Sequence, residues 1–133
     1  MEEALLDTDI LSYYLSGDSR VAQNVDQYLQ KFSALNLSMI TCYEILSGLS
    51  YKQAKRQIQT FENFIQDCNL LNISEVSIRL SAKVSGQLRR NGITIGNSDL
   101  LIAGIALEYN LTLITNNEKH FRQIPDLKVG NWK

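Results

Sequence analysis

Four short stretches rich in apolar residues, at positions 4–6, 35–40 (weakly alternating), 70–73 and 111–114, are separated by longer stretches whose apolar residues recur at helical spacing. This alternation is the strongest constraint on the fold. Short strands separated by helices build an α/β domain with a mostly parallel sheet, since each helix returns the chain to the same edge. Residues 127–129 offer a fifth strand. In sheets of this kind, chemistry collects beyond the carboxyl ends of the strands, near the point where strand order reverses.

Between the runs, Asp7-Thr8-Asp9 is placed to start a helix reaching Tyr14, with Asp9 reading as a helix cap. Residues 20–32 put Val21, Val25, Tyr28, Leu29 and Phe32 on one helical face. Thr41-Cys42-Tyr43-Glu44 has the form of a capping box that opens a further helix. The spacing then predicts an amphipathic helix over 51–67, with Ile58, Phe61, Phe64 and Ile65 on one face, and another over 75–91 stopped by Gly92. Residues 100–109 are apolar nearly all round, the mark of a buried helix.

The chain has 133 residues, one proline (Pro125) and no Gly/Ser linker, so it reads as one domain over 1–133 with no internal repeat. Thirteen Lys and Arg against fourteen Asp and Glu argue against an all-over basic clamp on nucleic acid, though not against a local basic patch. Cys42 and Cys68 have no Cys-x-x-Cys partner and His120 is the sole histidine, which disfavours structural zinc and a disulfide framework. No apolar run approaches the roughly 18 residues of a membrane span. The acidic start Met1-Glu2-Glu3 lacks the basic region of a signal peptide, so a cytoplasmic protein is expected.

Three carboxylates fall at strand ends. Asp7 follows the first strand, Glu44 lies in the helical turn after the second, and Asp99 follows Gly96-Asn97-Ser98 at the head of the buried helix. The helix dipole favours an ionised carboxylate at such a place. Converging acids repel unless a cation balances them, and an oxygen-only donor set suits Mg²⁺ or Mn²⁺. Each has a plainer reading. Glu44 fits a capping box, Asp99 fits a dipole partner behind a Ser98 or Asn97 cap, and Asp7 needs some partner because it abuts a buried strand.

These residues together resemble the PIN domain, and within it the VapC-type toxins of bacterial toxin–antitoxin pairs. The likeness is carried by Leu5-Leu6-Asp7-Thr8-Asp9, Glu44 in Tyr43-Glu44-Ile45, Ile95-Gly96-Asn97-Ser98-Asp99-Leu100-Leu101-Ile102-Ala103, and Leu113-Ile114-Thr115-Asn116-Asn117 with Phe121. The stretches 121–127 and 131–132 extend it to the end of the chain.

The resemblance implies a three-layer α/β/α fold with a short, mostly parallel sheet of four or five strands. It implies a Mg²⁺-dependent endoribonuclease held inactive by an antitoxin, hydrolysing RNA phosphodiesters with a metal-activated water. It maps the metal-binding acids onto Asp7, Glu44 and Asp99, with Thr8 and Thr115 beside them as hydroxyl donors. The chain departs from the family pattern at Asp9, where Asn is common, and at Asn117 and His120, one of which is often a fourth acid. Asn117 is left to orient a water, and one metal is better supplied than two.

A lone His offers no metal-free ribonuclease pair, and His120 reads as a surface or phosphate contact. Lys119 and Arg122, next to the last motif, are the better RNA-binding candidates among the basic residues; the plain alternative is a solvated charged face. Two rivals stand beside the ribonuclease. One is a degenerate domain that binds RNA or protein without cleavage. The other is a Mg-dependent phosphatase built on Asp7 and Asp9, for which a second acid after Asp99 is missing. The apolar width of Ile10, Leu11, Tyr13, Tyr14 and Leu15, and of the 58–65 face, exceeds one small core, so an antitoxin helix or a second copy in a homodimer is expected to cover part of it.

Overall fold

The computed structural model describes residues 1–133. Five parallel strands, β1 (Ala4–Leu6), β2 (Asn36–Ser38), β3 (Asn69–Leu71), β4 (Thr112–Ile114) and β5 (Val129–Gly130), form one sheet in the order β3-β2-β1-β4-β5. The chain builds outward from β1 through β2 to β3, then crosses to the other side of β1 for β4 and β5. Strand order therefore reverses at β1, and the crevice between β1 and β4 is the switch point at which such sheets place their ligands.

Seven helices complete the chain: α1 (Thr8–Leu15), α2 (Ser19–Leu29), α3 (Met39–Tyr51), α4 (Lys55–Ile65), α5 (Glu75–Arg90), α6 (Asn97–Glu108) and α7 (Glu118–Phe121). The pleat divides the strand side chains between two cores. Ala4, Leu6, Leu37 and Ile114 pack with Ile10, Leu11, Val21, Val25, Tyr28 and Phe61 from α1, α2 and α4. Leu5 and Leu113 face the other way, onto Val84, Leu88, Ile102 and Ile105 of α5 and α6. Two apolar layers against one sheet give the expected α/β/α sandwich.

Gly104 lets α5 and α6 approach closely. A Cβ there would lie 2.0 Å from Ser81 Oγ and 2.6 Å from the Ser77 carbonyl. Ser81 Oγ spends its proton on the Leu100 carbonyl at 2.7 Å, so the close contact leaves no orphaned polar group.

Two local expectations change. The helix expected over 51–67 is shorter at both ends: residue 51 closes α3, Gln53 takes a left-handed φ of +53°, and α4 runs from Lys55 to Ile65. The Ala54 N–H bonds back to the Leu49 carbonyl at 3.0 Å, closing the end of α3, and no proline or glycine marks the break. The capping box at Thr41 is also absent. Ser38 caps α3, accepting from the Thr41 N–H at 2.9 Å, which frees the Thr41 and Glu44 side chains for other partners. No helix is long and apolar enough to cross a membrane.

Candidate active site

Asp7 leaves β1 at its carboxyl end and caps α1. Its backbone N–H bonds to the Ile114 carbonyl at 2.8 Å, which ties it to β4 across the switch point. One carboxylate oxygen accepts from the Thr8 N–H and the other from Thr115 Oγ1, both at 2.8 Å. The cap is thus Asp7, not Asp9. Asp9 lies in the first turn of α1, where Oδ1 accepts from the Ile10 N–H at 2.7 Å and Oδ2 from the Asn116 N–H at 3.0 Å. Through Thr115 and Asn116, the loop after β4 holds two acids of the segment after β1.

Asp99 comes from the first turn of α6, whose N-cap is Gly96 and not Ser98 or Asn97; no side chain caps that helix. Asp99 Oδ2 stands 3.2 Å from His120 Nε2 of α7. Asn117 enters through its backbone N–H, which donates to Thr115 Oγ1 at 3.0 Å.

Asp7, Asp9 and Asp99 sense one another electrostatically. Burial first, then the charge of Asp9, pushes the Asp7 carboxyl up to about 7, with Asp99 adding to the rise and the Thr115 and Thr8 bonds opposing it. Asp9 is also raised, mainly by burial and further by Asp99. The helix dipole's preference for an ionised carboxylate is therefore opposed at Asp7. Desolvation in a crowded acidic crevice outweighs a half-charge at a short helix end.

Glu44 is placed differently. Thr8 Oγ1 donates to Glu44 Oε1 at 2.6 Å, and since its single proton is spent there, Thr41 donates to Thr8 across their 2.9 Å contact. Glu44 is thus joined to the Asp7 segment through one hydroxyl, on the wall where α1, α3 and α4 enclose a cleft of about 510 Å³. Thr8, Ser12, Glu44, Lys52, Thr60 and Phe61 are among the residues lining it. The cleft also shows what became of the apolar width of α1 and α4. Ile10, Leu11 and Phe61 are core, Tyr13, Tyr14, Phe64 and Ile65 pack against it, Ile58 is half-buried, and Leu15 is exposed.

The donor chemistry fits a hard divalent cation. The crevice presents carboxylate and hydroxyl oxygens, and none of the Lys or Arg ion pairs in the molecule involves Asp7, Asp9, Glu44 or Asp99. No three or more His, Cys, Asp and Glu side chains stand close enough to cage an ion as they are. The acids meet as an open, charge-unbalanced crevice instead. Of the basic candidates, Arg122 pairs with Glu118 at 2.9 Å, whereas Lys119 is exposed and has no ion-pair partner. The two contributors underrated by residue pattern alone are Asp9 and His120. The signal for Asp9 was present in the Asp-x-Asp spacing, but the fold that delivers His120 to Asp99 has no local signature.

Residues 4–127 match the PIN domain family model, and the chain belongs to the PIN-domain family. It is similar to Ribonuclease VapC2 of Rickettsia felis, with 33% identity over 129 residues covering 96% of each chain. It is also similar to Ribonuclease VapC1 of Haemophilus influenzae, with 35% identity over 130 residues and the same coverage of both chains. Among solved structures, the complex VapBC2 from Rickettsia felis bound to a DNA fragment from their promoter contains a chain that superposes with a TM-score of 0.88 at 31% identity, covering 98% of each.

Proposed function

We propose that this chain is the toxin of a toxin–antitoxin pair, a metal-dependent endoribonuclease that hydrolyses RNA phosphodiester bonds in the cytoplasm. The observation that carries this reading is the crevice of Asp7, Asp9 and Asp99 at the β1/β4 switch point, lacking any Lys or Arg counter-charge, in a PIN domain whose relatives are named ribonucleases. The phosphatase reading on Asp7 and Asp9 loses its support, because the family and the relatives point to a nuclease.

Asp7, Asp99 and Glu44 would hold Mg²⁺ or Mn²⁺, with Asp9 adding charge beside them. A bound divalent ion supplies Lewis acidity toward the phosphate and lowers the pKa of water. Thr115 orients the Asp7 carboxylate, and Asn116 does the same for Asp9 through its backbone N–H. Thr8 fixes the Glu44 carboxylate through a charge-assisted bond. Burial holds the Asp7 carboxyl up at about 7 in the ion-free chain, and a bound cation would favour its ionised form. Lys119 is free to meet a phosphate of the RNA.

The cleft between α1, α3 and α4 is where we place the antitoxin, because it opens beside Thr8 and Glu44 and has both apolar and polar walls. A homodimer would use the open edge at β3 and the start of α5, where Leu70, Ile73, Val76 and Ile78 are exposed.

The decisive experiment incubates the full chain with RNA, with and without EDTA. Cleavage that disappears with EDTA and returns on adding Mg²⁺ or Mn²⁺ is the expected result. Retained RNA binding without cleavage by either ion supports a binding-only domain, and EDTA-resistant cleavage rejects the metal.

A further inference from the structure

We propose that His120 is itself a metal ligand, adding an imidazole nitrogen beside Asp99 and moving the site's preference from Mg²⁺ toward Mn²⁺. The inference rests on the metal-dependent reading above and goes beyond it, since that reading uses oxygen donors alone.

The geometry is specific. His120 Nε2 lies 3.2 Å from Asp99 Oδ2. Two donors on adjacent corners of an octahedron, with bonds of about 2.1 Å, stand roughly 3 Å apart. The pair therefore already has the spacing of two neighbouring ligands. In the ion-free chain a proton can bridge the two atoms. An ion held by both takes that place, and the ring keeps its remaining proton on Nδ1.

The imidazole is also held in position. Its ring stands edge-on to Phe121, with centroids 5.3 Å apart and planes at 89°, and Phe121 is fully buried. The short helix that carries it is anchored to the chain terminus by Asn131, whose Nδ2 donates to Glu118 Oε2 at 3.1 Å. With side chains 25% and 35% exposed, His120 and Asp99 remain open to an ion arriving from solvent. A ligand needs that combination of a fixed ring and an accessible nitrogen.

The chemical consequence follows from donor type. Mg²⁺ is bound almost entirely by oxygen and sheds water reluctantly, so an imidazole adds little to its affinity. First-row transition ions accept nitrogen readily, and Mn²⁺ is the hardest of them, compatible with the carboxylates as well.

The test uses Mn²⁺ as the probe, because its unpaired electrons report ligand nitrogen directly by pulsed electron paramagnetic resonance. Full-length protein stripped of metal is titrated with Mn²⁺, alongside His120→Gln, whose amide can still bond Asp99 but offers no imidazole. The expected result is imidazole nitrogen modulation in the parent, its loss in His120→Gln, and Mn²⁺ affinity weakened by roughly tenfold or more. Mg²⁺ affinity, read by competition, should fall less. His120→Asp restores an oxygen donor and should recover binding with the preference shifted back toward Mg²⁺, which separates lost ligation from lost folding. Bound Mn²⁺ without nitrogen modulation in the parent overturns the proposal and leaves the carboxylate site intact. A parent that binds no Mn²⁺ overturns both.

Discussion

The two ends of β1 are built on opposite principles. At its amino end, hydrogen bonding is dense and the acid Glu2 has a lysine partner. Asn36 Nδ2 donates to the Ala4 carbonyl at 2.9 Å and to Glu3 at 3.2 Å, while Asn69 donates to Asn36 Oδ1 at 3.1 Å. The Ala4 N–H finds the Tyr28 hydroxyl at 3.1 Å, and Glu2 meets both Thr112 and Lys128. At its carboxyl end, Asp7 and Asp9 have hydrogen-bond donors on both oxygens, yet no Lys or Arg balances their charge. Satisfied hydrogen bonds and balanced charge are separate conditions, and only the first is met there. A fold that leaves buried charge unbalanced at one end of its central strand loses stability at that place, and under the proposed function a bound cation would supply the missing balance.

The largest effect expected from this contrast is on activity. Asp99→Asn keeps volume but removes one of the negative charges that a cation would balance. RNA cleavage should fall by at least about a hundredfold, beyond the usual cost of losing a group that merely supports a metal ligand. Metal binding measured by calorimetry should weaken with it. The metal-free variant should unfold at the same or a higher urea concentration than the parent, since repulsion with Asp7 and Asp9 is relieved. Full activity with unchanged metal affinity would reduce Asp99 to a helix-end residue.

Next is the pH dependence of the ion-free protein. The Asp7 carboxyl sits at about 7 in the folded chain, against roughly 3.9 when unfolded, so the folded state holds the proton more tightly. Its contribution to stability is fully present below the unfolded value and is lost as pH rises through 7. Urea unfolding in EDTA should therefore show the Asp7 contribution worth a few kcal/mol less at about pH 7.5 than at about pH 4. Asp18, held down chiefly by its bond to Lys133, and Glu118, held down chiefly by Arg122, work in the opposite direction. The informative quantity is thus the difference between parent and Asp7→Asn. That difference should grow with pH in EDTA and shrink when Mg²⁺ or Mn²⁺ is added. A pH-independent difference would mean that Asp7 is not strained by its surroundings.

Much of this contrast was legible in the residues. The apolar runs gave the alternation of strands and helices, and Asp7 and Asp99 stood out because each sits where a strand end or helix start must lie. What was not legible depended on atoms distant in sequence. Thr41 and Glu44 satisfy a capping pattern, yet Ser38 takes the cap, and Glu44 turns to Thr8. The boundary between the two middle helices falls at Gln53 and not before Tyr51, with no glycine or proline to announce it, because a left-handed residue after Lys52 lets α4 fold back toward α3. Asp9 reads as a cap until tertiary contact places Asn116 on it, and the meeting of His120 with Asp99 spans 21 residues. Local pattern fixes which residues are able to act, and the crossing connections decide which of them meet.

At the amino end of β1, a change should affect stability alone. Asn36→Ala removes a buried amide that serves the Ala4 carbonyl and leaves Asn69 without its acceptor. The expected cost is about 1–3 kcal/mol in urea unfolding, with cleavage per folded molecule unchanged. An equal loss of activity would show that the two ends of the strand are coupled and would break the comparison.

The smallest effects concern the two basic residues beside the site, and they test whether the unbalanced end recruits RNA through its own cations. Arg122 is already spent. Its guanidinium bonds Glu118, whose other oxygen accepts from Asn131, so an RNA phosphate would have to displace an existing partner. Lys119 is exposed on the same short helix with no such partner. Binding of a single-stranded RNA oligonucleotide, measured over a range of salt in the Asp99→Asn background to prevent cleavage, should separate them. Lys119→Ala should reduce the slope of log affinity against log salt by about 0.7, the signature of one lost phosphate contact on a single strand. Arg122→Ala should leave that slope unchanged, because freeing Glu118 alters a local pair and not the counterions released from RNA. The reverse result would place the RNA on the Arg122 side of α7, and equal slopes for both variants and the Asp99→Asn parent would remove α7 from the RNA-binding surface.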